Sequence, residues 1–511
     1  MPAATPGLQL INLGGNDLKK YILAIDEGTT SARSIIFDAD CAQISCAQYE
    51  LRQLFPHPAW VEEDPEEIYE KQLKSIKKAV SSGNVKPEEI AAIGITNQRE
   101  TTIVWNKNTG KPVSNAIVWQ CRRTSSVCEE LEKQGVSEYI TEATGLKLDA
   151  YFSATKIKWI LDNVPGAREE AMLGNLLFGT VDTWLIWKLT KGRVHATDMT
   201  NASRTMLFNI RTLSWDGRLL EIFGIPKSML PEVLPSGSVY GTTDVLGVEI
   251  PIAGVAGDQQ AALFGQCCWN PGEMKNTYGT GCFLLVNTGN VPVKSENGLV
   301  TTVAATIGDE KPQYALEGSV FIGGAIVKWL RDRLGVIKNA AETETLARQA
   351  GSSKGAYIVP AFAGLGAPYW DMDARGSFFG ITGATGKAEI VRAAIESIAY
   401  QTNDLVMSIT ADTGTKPLTL KVDGGAAANG FLLQFQADIS DVKVAKPANN
   451  EATALGAAFL AGLTSGFWKT RREVAVRIAT EKEFIPEIDE SERQRLTEGW
   501  KTAVKACREY K

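Results

Sequence analysis

The sequence predicts an α/β protein built from two related domains that face each other across a cleft. Three observations carry this expectation. The chain has 511 residues, more than one hydrophobic core usually holds, so two or more domains are expected. Apolar strand-like runs are followed by helical patterns in both halves. Two stretches of similar build, one opening each half, read as a strand, a Gly/Thr turn and a returning strand.

The first of these hairpins runs from Tyr21-Ile-Leu-Ala-Ile-Asp26 through Glu27-Gly-Thr-Thr-Ser31 into Ala32-Arg-Ser-Ile-Ile-Phe-Asp38. Its tip carries hydroxyls. Successive N–H groups of a Gly/Thr turn can surround a phosphate, Arg33 adds a guanidinium, and Asp26 ends the first strand. A surface hairpin is the plainer reading of the turn alone. A helix with legible ends follows: Asp64 as N-cap, Pro65 at its first position, Tyr69, Leu73, Ile76 and Val80 at helical spacing, and Gly83 as stop.

Ala91-Ala-Ile-Gly-Ile-Thr96 is then a strand whose carboxyl end runs into Asn97-Gln-Arg-Glu-Thr101. Ligands of α/β proteins bind at such ends. Arg99 and Glu100 either form a surface ion pair of little worth or grip adjacent hydroxyls, Arg donating and Glu accepting. Trp119, Tyr151 and Phe152, judged singly, read as core. The segments 178–187 and 201–206 continue this half.

Mid-chain, Ile252-Ala-Gly-Val-Ala-Gly-Asp-Gln-Gln-Ala-Ala-Leu-Phe-Gly-Gln266 passes from strand through Gly257 into a helix of small residues. Asp258 stands at the turn. It can cap the helix or point into the cleft. The second hairpin follows as Lys275-Asn-Thr-Tyr-Gly-Thr-Gly-Cys-Phe-Leu-Leu-Val286, and across a cleft Thr29, Thr30, Thr280 and Gly281 can hold phosphate from both sides. Residues 387–409 give an amphipathic helix with Ile390, Val391, Ala394, Ile395, Ile398, Leu405 and Ile409 inside. A strand over 418–423 closes on a Gly424-Gly425 pair that lets a nucleotide lie against backbone, with Asn429 for a polar contact. The helix over 453–462 has the small residues of a packing interface.

Composition narrows the function classes. With 44% hydrophobic and 22% charged residues, and 53 basic against 59 acidic groups for a net charge of -6, the chain has no basic tail for nucleic acid. No apolar run reaches the ~20 residues of a membrane span. Residues 1–18 lack the charge and apolar core of a secretory signal and read as a flexible extension. Eight cysteines without a Cys-x-x-Cys spacing suit free thiols in a reducing, cytoplasmic compartment. With only His57 and His195, acid–base chemistry falls to carboxylates. No Walker-type phosphate loop is present, since Gly383-Ala-Thr-Gly-Lys387 is too short.

Taken together, these stretches resemble the carbohydrate kinases of the FGGY family from about residue 21 to 500. The specific blocks are Ile95-Thr-Asn-Gln-Arg-Glu-Thr-Thr102, Ala116-Ile-Val-Trp-Gln-Cys-Arg-Arg-Thr124, Gly257-Asp-Gln-Gln-Ala-Ala-Leu-Phe-Gly265, Lys275-Asn-Thr-Tyr-Gly-Thr-Gly-Cys-Phe283 and Gly364-Leu-Gly-Ala-Pro-Tyr-Trp-Asp371. The resemblance implies two RNase H-like domains, as in actin, hexokinase and the Hsp70 ATPase, flanking an ATP cleft. The expected division is an extension over 1–18, a domain over 19–265 for acceptor and phosphate, and a nucleotide domain over 266–511.

It further implies Arg99, Glu100, Tyr151, Asp258 and Gln259 as an acceptor-binding set, with Trp119 and Phe283 as apolar wall. Thr29, Thr30, Ser31 and Arg33 correspond to a first phosphate site and Thr280 to a second. Gly324, Gly425 and Asn429 correspond to nucleotide contacts, and Lys328 stands where relatives carry glutamine. Ala150 replaces a proline usual before the tyrosine. The implied reaction is transfer from ATP to glycerol giving sn-glycerol 3-phosphate, with Asp258 as general base and Mg²⁺ held through water by Asp26 and Asp258. Relatives form homodimers and homotetramers. The segment 240–250 has no Arg, His or Gly-Gly, so control by fructose-1,6-bisphosphate or by histidine phosphorylation is not expected there. Three rival readings stay open: a kinase for another polyol or ketose such as xylulose, an actin-like protein driven by ATP, and a silent metabolite binder.

Overall fold

A computed structural model of the chain describes residues 19–510; the extension expected over 1–18 lies outside them. Strands β1 (Tyr21–Glu27) and β2 (Ser31–Asp38) form the first hairpin, and β3 (Gln43–Glu50) extends it. Helix α1 (Pro65–Ser82) begins as the sequence predicts, with the Asp64 side chain accepting from Glu66 N–H and Pro65 at the first position. Its inner face is rotated from expectation. Ile68, Gln72, Ser75, Ile76, Ala79 and Val80 are buried, whereas Tyr69 and Leu73 are only partly covered. The polar pair can turn inward because Gln72 Nε2 donates to Ser34 Oγ at 2.9 Å and to the Arg33 carbonyl at 3.1 Å.

Strand β4 (Ile90–Asn97) runs parallel to β1. A long insertion with its own core of Val104, Ile140, Phe152, Ile157 and Phe223 follows, and near its end lies a one-turn helix, α2 (Met199–Ala202). The chain then re-enters the sheet as β5 (Gly241–Thr243) and β6 (Ile250–Gly257), and β6 lies parallel to β4. The sheet order is β5-β6-β4-β1-β2-β3. Helix α3 (Asp258–Gly265) leaves directly from the carboxyl end of β6.

The second half repeats the plan. Strands β7 (Met274–Tyr278) and β8 (Cys282–Gly289) form the second hairpin, with β9 (Val300–Ala304) and β10 (Gln313–Val320) beyond it. After α4 (Ala325–Asp332) comes α5 (Lys387–Thr413), then β11 (Thr419–Asp423), α6 (Gly430–Ser440) and β12 (Lys443–Pro447). β7, β11 and β12 are parallel neighbours, as β1, β4 and β6 are. Including the edge strand β13 (Thr480–Phe484), the order is β9-β10-β8-β7-β11-β12-β13.

Helix α5 corrects the amphipathic expectation. Val391, Ala394, Ile395, Ile398, Leu405 and Ile409 are buried as predicted, and Ile390 is partly covered, but Glu396, Gln401 and Asp404 are buried too. It is a central helix, packed against α6 and the second sheet, whose polar groups find partners inside: Asp404 Oδ2 accepts from Trp500 Nε1 at 2.8 Å and from Tyr369 Oη at 3.0 Å.

Helix α7 (Ala452–Thr464) joins the halves. Placed by sequence order in the second domain, it packs on the first sheet, where Ala454, Leu455, Ala458 and Phe459 share a core with Ile22, Ala24 and Ala253. Contact is backbone to backbone. A Cβ on Gly94 of β4 would stand 2.1 Å from the Ala457 carbonyl oxygen, and one on Gly456 would stand 1.8 Å from that of Ala261 in α3. The small residues legible in both helices are therefore a steric requirement of this crossing. Gly456→Val is expected to lower stability by about 1–3 kcal/mol or more, read as a fall in the urea midpoint; an unchanged midpoint would refute the close crossing.

Candidate active site

Both hairpins end in three-residue turns at the mouth of the same cleft. Gly28-Thr29-Thr30 closes through Gly28 N–H to the Ser31 carbonyl at 3.0 Å, and Gly279-Thr280-Gly281 through Gly279 N–H to the Gly281 carbonyl at 2.9 Å. A cavity of about 890 Å³ lies between them, lined by Thr29, Thr30 and Thr280 and, from the second half, by Gly324, Lys328, Gly425 and Asn429. Asn429 also caps α6, its Oδ1 accepting from Leu432 N–H at 3.0 Å. Every residue assigned to nucleotide on sequence grounds lines this cavity except Ser31 and Arg33.

Arg33 is engaged with two carboxylates. Asp26 and Arg33 are directly opposed in the β1–β2 register, so Arg33 Nη2 donates to Asp26 Oδ2 at 2.9 Å and the guanidinium also pairs with Glu451. Burial raises the Asp26 pKa against the opposing pull of Arg33.

A smaller cavity of about 150 Å³ adjoins the first and shares Thr29, Trp119 and Thr280 with it. Its remaining walls are Arg99, Glu100, Tyr151, Asp258, Gln259, Gly281 and Phe283. The whole predicted acceptor set converges here, from the carboxyl ends of β4 and β6, from the insertion and from the second hairpin. Trp119 packs edge-on to Tyr151 and Phe283 with ring centroids 5.6 and 6.3 Å apart. Its Nε1–H donates to Thr29 Oγ1 at 2.9 Å. Glu100 is held at φ 62°, a left-handed conformation uncommon for a residue with a side chain and typical of functional turns.

Asp258 is not the helix cap that the sequence allowed. Gly257 is the N-cap, and Asp258 is the first helical residue, its Oδ1 accepting from Gln259 N–H at 2.7 Å. Its carboxylate is 32% exposed to the cavity and lies 3.2 Å from Arg99 Nε. Arg99 and Glu100 are not paired chiefly with each other, being 3.9 Å apart at their nearest charged atoms. Arg99 Nη1 and Nη2 donate instead to the two oxygens of Glu317 at 2.6 and 2.7 Å. Arg204 Nε donates to Glu100 Oε1 at 2.6 Å, and its Nη2 to Glu317 at 3.2 Å. All four are fully buried or nearly so. Burial alone would raise the Glu317 pKa, but Arg204 and Arg99 hold it down at about 2.

Three functional residues escaped the sequence reading: Glu317, Arg204 and Lys275. Glu317 is the single charge inside the apolar run of β10, and Arg204 lies in a segment of small and apolar residues; a lone charge in a buried pattern was the available signal. Lys275 is buried and donates to Gln259 Oε1 at 2.5 Å and Thr277 Oγ1 at 2.8 Å, and burial lowers its pKa to about 8.

Among the described residues no cluster of three or more His, Cys, Asp or Glu forms a metal cage. Asp26 Oδ1 and Asp258 Oδ2 nevertheless take no protein hydrogen bond among those residues. Asp258 lines the smaller cavity and Asp26, which lines neither, is close enough to feel its charge; such a pair fits Mg²⁺, which keeps several waters and takes much of its coordination from substrate phosphates. A separate depression of about 750 Å³ on the second half is lined by lysines already engaged: Lys443 with Glu483, Lys416 with Asp441 and Lys421 with the Gln266 carbonyl.

Two domains of one plan, with a small polar pocket opening into a nucleotide-sized cleft, define a kinase for a small hydroxylated acceptor. Comparison with known proteins agrees. Residues 21–265 match the N-terminal domain, and residues 274–465 the C-terminal domain, of the FGGY family of carbohydrate kinases. The chain belongs to this family. It is 60% identical to glycerol kinase 2 of Thermotoga maritima, over 95% of this chain and 98% of that one. It is 59% identical to the glycerol kinase of Shewanella sp. (strain ANA-3), over 96% and 99%. The crystal structure of Plasmodium falciparum glycerol kinase with ADP superposes with a TM-score of 0.89 at 38% identity, covering 95% of this chain and 98% of that chain.

Behind the first turn, Glu63 Oε2 accepts from Gln98 Nε2 at 2.8 Å, and Gln98 Oε1 accepts from Thr101 Oγ1 at 2.9 Å. Glu63 is buried, which raises its pKa to about 7. Protonated Glu63 is favoured in the folded chain, so its contribution is full below the unfolded value near 4.5 and is lost as pH rises through 7. Glu63→Gln, which stays neutral, is therefore expected to gain about 2–3 kcal/mol relative to the parent between pH 5 and pH 8. Urea midpoints at both pH values check this, and an equal difference at the two would refute it.

Proposed function

We propose that this chain transfers the γ-phosphoryl group of ATP to a terminal hydroxyl of glycerol, giving sn-glycerol 3-phosphate and ADP, in a reducing cytoplasmic compartment. One observation carries the reading: the 150 Å³ acceptor pocket, with Asp258 on its wall, opens through Thr29 and Thr280 into the larger cleft. The names of the relatives support the same acceptor, and eight free thiols suit the compartment.

In this reading Glu100 accepts from an acceptor hydroxyl, Gln259 and the Arg99 edge orient it, and Trp119, Tyr151 and Phe283 cover its carbon chain. Asp258 takes the proton of the terminal hydroxyl as that oxygen bonds to the γ-phosphorus, and the bond to the β–γ bridging oxygen breaks in line, leaving ADP. The base contributes about 10²–10⁴-fold. Thr29, Thr30 and Thr280 donate to phosphate oxygens, and Gly324, Gly425, Lys328 and Asn429 line the nucleotide's path. Asp26 and Asp258 would hold Mg²⁺, and the ion when bound would supply neutralisation of phosphate charge. The two domains, divided near 265/266 along the chain, close to exclude water from the transfer. A pocket of this size favours a three-carbon acceptor over xylulose.

ADP release by purified protein with Mg-ATP should be strong with glycerol and weak with dihydroxyacetone, xylulose or no acceptor. Preference for xylulose would overturn the acceptor, and acceptor-independent release would point to an actin-like ATPase. Asp258→Asn should lose turnover by at least about 10²-fold while still binding glycerol in calorimetry; near-normal turnover would remove Asp258 from the base role.

A further inference from the structure

Helix α2 lies outside both cavities, yet it is tied to the two strand ends that carry the acceptor site. Gly257, the last residue of β6, donates its N–H to Thr200 Oγ1 at 2.8 Å. Asn97, the last residue of β4, exchanges a reciprocal pair of side-chain amide hydrogen bonds with Asn201 at 3.0 and 3.1 Å. Gly257 and Asn97 are neighbours in the parallel ladder, and the residues just beyond them are Asp258 on one side and Arg99 and Glu100 on the other.

Asp198 fixes α2 from below. Its carboxylate accepts from the Thr200 and Asn201 N–H groups, from Thr200 Oγ1 at 2.9 Å and from Ser236 Oγ at 2.7 Å. Asp198, Thr200 and Asn201 are each fully buried. The hydroxyl of Thr200 thus accepts from the backbone at the very residue where the strand ends and immediately before the first helical residue, Asp258. The strand end also packs closely on the acceptor-site arginine, since a Cβ at Gly257 would stand 2.6 Å from Arg99 Cδ.

We infer that Thr200 and Asn201, anchored by Asp198, are positioning residues with separate targets: Thr200 aims Asp258 at the reacting hydroxyl, and Asn201 sets the Arg99–Glu100 turn that binds the acceptor. The inference rests on the proposed base role of Asp258. A displacement near 1 Å of a reacting group can cost about 10²-fold in rate. A positioning defect on the base should therefore appear in kcat, and one on the binding turn in KM.

The experiment is steady-state kinetics of glycerol phosphorylation by full-length Thr200→Val, Thr200→Ser and Asn201→Ala beside Asp258→Asn. Thr200→Val, which removes the hydroxyl at nearly constant volume, is expected to lower kcat about 10- to 100-fold with KM for glycerol within about threefold. Thr200→Ser should restore most of kcat, and Asn201→Ala should raise KM for glycerol more than it lowers kcat. If Thr200→Val does not fold, Thr200→Cys takes its place under the same criteria. Parental kcat in the hydroxyl-free variant, or equal impairment of Thr200→Ser, would overturn the inference while leaving a base role supported by an inactive Asp258→Asn. Near-normal turnover of Asp258→Asn would overturn the base assignment and this inference together.

Discussion

The acceptor pocket depends on four buried charges. Arg99 and Arg204 alternate with Glu317 and Glu100, each arginine touching two acids or an acid and a cavity wall, with water excluded from all four side chains. Charges are costly to bury and are tolerated only when paired and hydrogen-bonded. Loss of one partner strands the others, typically for about 3–5 kcal/mol. The cluster also joins three parts of the chain that are distant in sequence: the end of β4, the segment after α2 and the middle of β10. Its geometry fixes the one guanidinium edge that faces Asp258, because both terminal nitrogens of Arg99 are committed to Glu317. A net-neutral cluster beneath the pocket leaves Asp258 as the exposed charge among its carboxylates.

Around this fixed floor the two halves supply symmetric roofs. Each hairpin presents a three-residue Gly/Thr turn to the same cavity, and each half sets its first strand beside parallel neighbours. The halves are not independent bodies stacked together. Helix α7 follows the second sheet in the chain but seats on the first, against Gly94 and the helix that begins with Asp258. Helix α7 thereby meets α3 backbone to backbone, at Gly456 against Ala261.

Much of this was legible in the sequence, and the reasons for the misses are physical. Hairpins, caps and small-residue helices are local: Asp64-Pro65 starts α1, and the Gly/Thr turns close on themselves. Residues were also correctly gathered into one pocket wherever they follow the carboxyl end of a strand, as Arg99, Glu100 and Asp258 do. What local patterns cannot show is a partner from far along the chain. Arg99 could be read as paired with its neighbour Glu100, but the two lie in the turn beyond β4 with their nearest charged atoms 3.9 Å apart, and the bidentate partner of Arg99, Glu317, is 218 residues away. The pairing of Arg33 with Glu451, which is 418 residues away, was likewise invisible in the local pattern. The inward turn of Gln72 and Ser75 was not legible either, because their buried partner, Ser34, comes from β2.

The contact between Trp119 and Thr29 shows how the pocket and cleft act as one unit. The indole N–H occupies an acceptor lone pair of the Thr29 hydroxyl, which leaves the hydroxyl proton free to be donated elsewhere. Trp119 in turn is held by its own N–H to Thr101 Oγ1 at 3.2 Å, and Thr101 donates to Gln98. In the proposed reading, an acceptor that presses on the indole bears on the Thr29 hydroxyl through one direct hydrogen bond. Such a rigid link suits phosphoryl transfer, in which the protein contributes alignment and charge stabilisation more than covalent chemistry.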